Sequence, residues 1–328
     1  MILAGDIGGT NSRLALFEVE GGALRETARQ VFPSRDSPSL DAIVATFCAG
    51  QGARVPYACF GVAGPVRDGR VQAVNLAWSV EGASLARQLG GAEVWLINDL
   101  EANAYGIPAL SPADFAVLNA GQAGATGNQA VISAGTGLGE AGLIWDGRRH
   151  TPFASEGGHA DFAPSDELQI ELLRFLMRER GHVSVERVLS GPGLHNIYRF
   201  LRDTGRAKEP EWLARELADN DPPAVISRTA LEGRAEICGD ALEVMVAIYG
   251  AEAGNVALGM MATGGVFLGG GIAPRILPRL QSQTFLDAFR AKGRLGDLVT
   301  SIPVRVILND SAALLGAARC AALRADLL

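Results

Sequence analysis

The sequence predicts an α/β fold built from two copies of one βββαβαβα pattern, with a cleft between them. Three observations carry that expectation. Short apolar runs separated by turn residues recur in the same order in both halves of the chain. In each half a glycine-rich hairpin, Gly8-Gly9-Thr10 or Gly135-Thr136-Gly137, joins the first two strands. In each half a later strand ends in Asn-Asp and runs into an alanine-rich helix, as in Ile97-Asn98-Asp99-Leu100-Glu101-Ala102 and Leu308-Asn309-Asp310-Ser311-Ala312-Ala313.

Taken in order, Ile2–Gly5 and Arg13–Val19 are strands, and Gly21-Gly22 turns the chain into a third, Leu24–Phe32. Ser39 caps a helix that places Leu40, Ile43, Val44 and Phe47 on one face. Tyr57–Val62 is the next strand, Asp68-Gly69 turns a small hairpin, Leu85–Leu89 is helical, and Glu93–Ile97 is a strand. The second half repeats this with strands Ala130–Ala134 and Ala141–Trp145, an Asp146-Gly147 turn and a helical insertion. A long helix Cys238–Ala262, strands Val266–Leu268 and Val304–Leu308, and a helix Ala312–Leu323 complete it. The expected division is a smaller domain over residues 1–110, with the helix in 310–328 packing back on it. A larger domain over 111–309 carries the insertion.

Composition narrows the function. The chain has 328 residues, 48% hydrophobic and 20% charged, which is enough for two cores and unlike a disordered chain. A net charge of −7 argues against a nucleic-acid binder, which needs a basic face. Four well-separated cysteines, Cys48, Cys59, Cys238 and Cys320, form neither a disulfide ladder nor a CxxC pair and suit a reducing compartment. The start meets Asp6 at once and is not a signal peptide. The uncharged stretch Ala253–Pro274 is long enough to test as a membrane span, but it holds seven glycines. Thr263-Gly264-Gly265 breaks it into a buried helix and a short strand. A cytoplasmic protein without membrane or nucleic-acid partners is expected.

Glycine, 41 of 328 residues or about 12%, exceeds the average near 7% and is clustered. Only Lys208 and Lys292 are lysines, and no GxxxxGK[ST] occurs, so a Walker loop is excluded. A bare hairpin can instead point backbone amides at an anion, and two facing hairpins can clamp a polyphosphate. Ordinary hairpin chemistry explains one such loop; its recurrence at matched positions favours phosphate. Gly137-Leu138-Gly139-Glu140-Ala141-Gly142 is a literal GxGxxG, yet it enters a strand and not a helix, which argues against a dinucleotide fold. Gly269-Gly270-Gly271 leaves a flat corner for an adenosine, or simply close helix–strand packing.

Asp6, beside the first hairpin, suits Mg²⁺ held through water, or is a turn carboxylate satisfied locally. Asn98 and Asp99 end a strand and open a helix, where both types are favoured caps, and Asn309-Asp310 repeats the position. Glu156, His159 and Glu186 in the insertion add carboxylates and an imidazole that suit a polyol. A metal site at Glu156 and His159 is the weaker reading, because no cysteine lies near them.

Five ordered blocks now stand out: Gly5-Asp6-Ile7-Gly8-Gly9-Thr10-Asn11-Ser12-Arg13, Leu96-Ile97-Asn98-Asp99, Gly135-Thr136-Gly137-Leu138-Gly139, Glu156-Gly157-Gly158-His159 and Leu189-Ser190-Gly191-Pro192-Gly193-Leu194. Together they resemble the bacterial glucokinases of the hexokinase/actin/Hsp70 superfamily, over residues 2 to about 318. The resemblance implies two ribonuclease H-like, actin-like ATPase domains and ATP-dependent phosphorylation of D-glucose to glucose 6-phosphate, feeding glycolysis. The alternatives are a kinase for another hexose or a non-enzymatic sugar- or ATP-binding relative. It implies Asp99 as general base, and Asn98, Asp99, Glu156, His159 and Glu186 as the sugar site. Gly5, Asp6, Ile7, Gly8, Gly9, Thr10, Asn11, Gly135, Thr136, Gly137 and Gly139 would meet the phosphates; Gly269, Gly270 and Gly271 would meet the adenosine. It further implies a homodimer. Ser12 stands where the family has Ala, and Glu140 where an uncharged residue is common, so the Glu140 side chain is expected to turn away from ATP. The related ROK kinases carry a cysteine-rich zinc motif that this chain lacks. Closure on the sugar is expected to exclude water, the competing phosphoryl acceptor.

Overall fold

The computed structural model describes every residue except Ala53, Val74 and Asn75. The chain forms two compact units. One comprises Met1–Asp114, Thr151–Ala154 and Asn309–Leu328, the other Phe115–His150 and Ser155–Leu308.

The first unit contains strands β1 (Ile2–Ile7), β2 (Asn11–Glu20), β3 (Ala23–Pro33), β4 (Tyr57–Val62), β5 (Val66–Arg67), β6 (Arg70–Gln72), β7 (Ser79–Glu81) and β8 (Glu93–Asn98). Its helices are α1 (Leu40–Ala49), α2 (Gly82–Gln88) and α3 (Asp99–Gly106). The main sheet has the order β3-β2-β1-β4-β8. The hairpin pair β1/β2 is antiparallel, and β1, β4 and β8 run parallel. β1 is buried on both faces. Leu3 and Ile7 join a core with α1, while Ile2 and Ala4 join one with the C-terminal helix. That two-sided burial is why the strand is a continuous apolar run and not an alternating one.

The second unit contains β9 (Phe115–Asn119), β10 (Gln129–Ala134), β11 (Leu138–Trp145), β13 (Gly265–Gly269) and β14 (Val304–Ile307), and the two ends of β12 (His150–Ser155). Its sheet has the order β12-β11-β10-β13-β14-β9. Without the edge strand β9, the two sheets share one order of hairpin strands followed by parallel strands. The insertion is helical: α4 (Glu167–Met177), α5 (Gly191–Asp203), α6 (Glu211–Asp219) and α7 (Pro222–Leu231). Then come α8 (Glu236–Gly259), α9 (Leu277–Leu280), α10 (Gln283–Arg290), α11 (Gly296–Thr300) and finally α12 (Ala312–Arg324). The sequence pattern does not predict β9 and β12, because neither shows clean alternation. α8 is long and apolar enough to cross a membrane, yet it is mostly buried inside its unit as core.

α12 lies on α3 in the first unit, and two glycines set how closely. A Cβ at Gly106 would overlap the Ala312 carbonyl, and one at Gly316 would overlap the Ala102 carbonyl. Gly316→Ala gains about 1 kcal/mol of helix propensity, but it drives a methyl into backbone. A net destabilisation of about 1–3 kcal/mol is expected. Urea unfolding measures it; a stabilised Gly316→Ala protein would contradict this packing.

Candidate active site

Asp6 sits at the end of β1, opposite Arg13 on β2. Arg13 Nη1 donates to Asp6 Oδ2 at 3.1 Å and to the Asp310 carbonyl at 3.3 Å, and Nη2 reaches Asp310 Oδ2 at 3.4 Å. Burial pushes the Asp6 carboxyl above its ordinary value, Arg13 pulls it back down, and the nearby Asp310 pushes it up again. The first hairpin closes on Gly8 N donating to the Asn11 carbonyl at 3.0 Å. It is braced from the end of β3: Ser34 Oγ donates to the Gly8 carbonyl at 2.7 Å, and Ser34 N to the Thr10 carbonyl at 2.8 Å. The buried hydroxyl of Ser12 lies 2.9 Å from that of Ser34, which gives the Ala-to-Ser departure a role in the brace. Sequence reasoning missed Ser34, since a serine after Pro33 carries no signal of its own. Gly5 and Ile7 are buried within β1, so only their backbone could face a ligand.

Neither hairpin uses left-handed backbone, since Gly8, Gly9, Gly135 and Gly137 are absent from the positive-φ residues. The glycines serve bareness. Nothing stands within 4 Å of where a Gly135 side chain would be, which leaves the loop open.

Asn98 caps α3: its Oδ1 accepts from Leu100 N at 2.8 Å, and its Nδ2 donates to the Gly64 carbonyl at 3.2 Å. Asp99 is the first helical residue, and its Oδ1 also accepts from Leu100 N, at 3.0 Å. The corner sits close on the sheet because Gly61 of β4 has no side chain; a Cβ there would meet Ala102 Cβ at 2.7 Å. Asn309 makes the matching bond, its Oδ1 accepting from Ser311 N at 2.9 Å. Asn98 is therefore the cap of α3, whereas Asn309 makes the same two-residue bond just ahead of Ser311, the residue that caps α12. The aspartates differ, because Asp310 is the one that faces Arg13 and Asp6.

In the second unit, β11 gathers the remaining residues. Glu186 is half-buried, and its Oε2 accepts from Leu138 N at 3.0 Å, where a side chain at Gly137 would collide with it. Glu156 and His159 are exposed at the ends of a single helical turn, with His159 N donating to the Glu156 carbonyl at 3.0 Å. Between them Gly158 lies on the Leu138 carbonyl and Gly157 on the Glu140 carboxyl; neither place has room for a Cβ. Glu140 is buried, turned under this loop and off the open hairpin.

A cavity of about 450 Å³ opens beside the second hairpin. Gly135, Thr136, Gly191, Asp221, Ser227, Met245, Gly271 and Arg275 are among its walls. The size suits a small-molecule ligand. Gly270 adopts φ +78° where any side chain would strike Ala134, so packing explains that glycine, while Gly271 faces the cavity. Asp221, Ser227 and Arg275 were invisible in sequence because α7 and the segment before α9 reach the cavity only through tertiary packing. Among the described residues no group of three or more His, Cys, Asp or Glu could hold a metal ion.

A family model described as Glucokinase matches residues 3–324. The glucokinase of Nostoc sp. strain PCC 7120 is 41% identical over 338 residues, covering 98% of this chain and 99% of its own. The glucokinase of Caulobacter sp. strain K31 is 38% identical over 320 residues, covering 96% and 93%. Among solved structures, a glucokinase from an Antarctic psychrotroph superposes with a TM-score of 0.85 at 34% identity over 98% of both chains. A ROK family glucokinase from Streptomyces griseus, in complex with glucose and AMPPNP, covers 98% of this chain and 99% of its own. It superposes with a TM-score of 0.65 at 23% identity, a likeness of fold.

The cap geometry makes a prediction of its own. Asn98→Ala should lose about 1–2 kcal/mol of stability in urea unfolding, whereas Asn98→Asp, which can still accept from Leu100 N, should lose less. Equal losses in the two variants would contradict the cap.

Proposed function

The chain belongs to the glucokinase family and phosphorylates glucose with ATP, and from that premise we propose that Asp99 is the general base. The observation that carries this is the capped corner. Asn98 and Gly61 fix Asp99 at the first position of α3, where the helix N-terminus favours a carboxylate. Asp99 accepts the proton of the glucose 6-hydroxyl as that oxygen attacks the γ-phosphorus. The new O–P bond forms while the bond to the bridging oxygen of ADP breaks, and the proton then passes from Asp99 to solvent. General-base help of this kind is worth about 10²–10⁴-fold, and positioning with charge stabilisation supplies most of the rest.

The sugar hydroxyls are read by Asn98, Glu156, His159 and Glu186. Ionised acceptors make stronger bonds to hydroxyls than neutral ones, and a site built for a hydroxyl rejects an analogue lacking it. The backbone of Gly5–Asn11 and of Gly135–Gly139 takes the phosphates. The cavity at Gly271 takes the adenosine, with Gly269 and Gly270 shaping the turn behind it. Asp6 fits Mg²⁺ held through water: it is a hard oxygen donor beside bare amides, and burial has stripped it of solvation that a cation restores. Bound there, the ion supplies positive charge to the phosphates. The reading extends to a cytoplasmic homodimer feeding glycolysis, in keeping with four free cysteines, three of them buried.

Asp99→Asn should keep KM for glucose near that of the parent and lose at least about a hundredfold in kcat, while Asp310→Asn should lose far less. A coupled assay of ADP release, with and without glucose, with a panel of other hexoses and with Mg²⁺ removed, measures all of this. Undiminished turnover in Asp99→Asn would reject that residue as the base. Equal losses in the two variants would mean the wrong repeat carries the chemistry.

A further inference from the structure

Glu140 is 4% exposed, and its Oε1 meets no hydrogen-bond partner among the described residues. The group that reaches its carboxyl is another carboxyl, that of Glu252 on α8. Two carboxylates in hydrogen-bond contact repel unless one of them carries a proton. Burial first, and then the charge of Glu252, push Glu140 up to about 8.

Among the described residues none of the other titratable groups around this pair bonds Glu140, and the Lys292 charge acts on Glu252. The Tyr249 hydroxyl is buried without a hydrogen-bond partner among the described residues, and burial followed by the Glu140 charge raises it above its ordinary value. Lys292 gives its ammonium to the Ala251 carbonyl at 2.8 Å and to Asn255 Oδ1 at 2.7 Å. Asn255 Nδ2 in turn donates to Glu252 Oε2 at 3.0 Å. That bond holds the Glu252 carboxyl in place on α8.

Directly against Glu140 Oε2 lies Gly157, at a place where a side chain would overlap it. Gly157 N is tied to Ser155 Oγ at 2.9 Å. This glycine begins the turn that carries Glu156 at one end and His159 at the other.

We propose that Glu140 and Glu252 share a proton, Glu140 donating, and that this buried pair is the floor on which Glu156 and His159 are held for the sugar. Glu140 is a positioning residue, and the inference rests on the assignment of Glu156 and His159 to glucose. Raising the pH removes the proton to bulk base. The two carboxylates then repel, Glu140 seeks water, and the Gly157 backbone moves. The effect falls on KM for glucose.

Glu140→Gln tests this, because the amide keeps the volume and an N–H for Glu252 but cannot ionise. The first readout is urea unfolding of both proteins across about pH 5–9. An unfolded glutamate ionises near 4.5, so the folded parent holds a proton that its unfolded chain has lost. Its stability therefore falls as pH rises toward about 8. The Gln variant lacks this loss, so its unfolding midpoint should gain on the parent as pH rises. A gap that stays constant overturns the protonated acid.

The second readout is KM for glucose, which should rise several-fold from about pH 7 to pH 9 in the parent and stay flat in the variant. KM for ATP should move little in either. A shared glucose profile, alongside a widening stability gap, overturns the link to the loop. Glu156→Gln is the control for the assignment itself. If it leaves KM for glucose unchanged, the sugar reading fails and the buried acid stands on its stability readout. Should Glu140→Gln not fold, Glu252→Gln replaces the repelling charge with a donor and should move the parent's loss of stability to lower pH. An unmoved profile overturns the pair.

Discussion

β11 leaves the second glycine hairpin under an unusual set of obligations. Its first amide, at Leu138, donates to the Glu186 carboxylate at 3.0 Å. Its first carbonyl occupies the space a side chain at Gly158 would need, and its third residue, Glu140, lies under Gly157. From the hairpin itself, the Gly135 carbonyl accepts from Gly191 N at 2.8 Å, where α5 begins. The second hairpin and the three residues of its own unit assigned to sugar, Glu156, His159 and Glu186, are thus one packed body. Phosphoryl transfer is mostly a matter of placement, and a misplacement of about 1 Å can cost about a hundredfold. A strand that braces the second hairpin and these sugar residues together is a physical route to such placement within its unit.

The duplication shows how one local motif serves two ends. Asn98 and Asn309 make the same bond to the backbone two residues on, so the Asn-Asp signal is in the first instance about turning the chain from a strand toward a helix. The role of each aspartate then depends on its surroundings. Asp310 lies within reach of Arg13, which also holds Asp6, and so belongs to a charge network at the first hairpin. Asp99 sits above Gly61 on the parallel part of its sheet. The glycines that read as a phosphate signature likewise have separate duties. Gly106 and Gly316 let α3 and α12 touch, and Gly270 bends past Ala134. Gly135 and Gly271 leave space for a ligand.

Much of the fold was legible in the sequence because its strands are either buried on both faces or bounded by glycine turns. The helix after Ser39 forms as its pattern predicts, with Leu40, Ile43, Val44 and Phe47 buried and Ser39 Oγ accepting from Ala42 N at 3.2 Å. The site motifs were legible because they lie in contiguous blocks. β9 and β12 were not, since their residues show no clean alternation, and the partner of β9, β14, is remote in sequence. The Ser12–Ser34 brace, the cavity walls at Asp221 and Arg275, and the Glu140–Glu252 pair were also hidden. Each joins residues from elements that meet only after folding, and no local propensity encodes such a meeting. Glu140 was visible as an oddity, but its burial under Gly157 was not.

The most direct test of the catalytic reading is a crystal structure with glucose and a non-hydrolysable ATP analogue bound together. The account predicts an Asp99 carboxylate oxygen within hydrogen-bond reach of the glucose 6-hydroxyl, about 2.6–3.2 Å. It also predicts the amides of both glycine hairpins on the phosphates. A 6-hydroxyl bonded to a different acid, or a terminal phosphate bound away from residues 98–99, would contradict it.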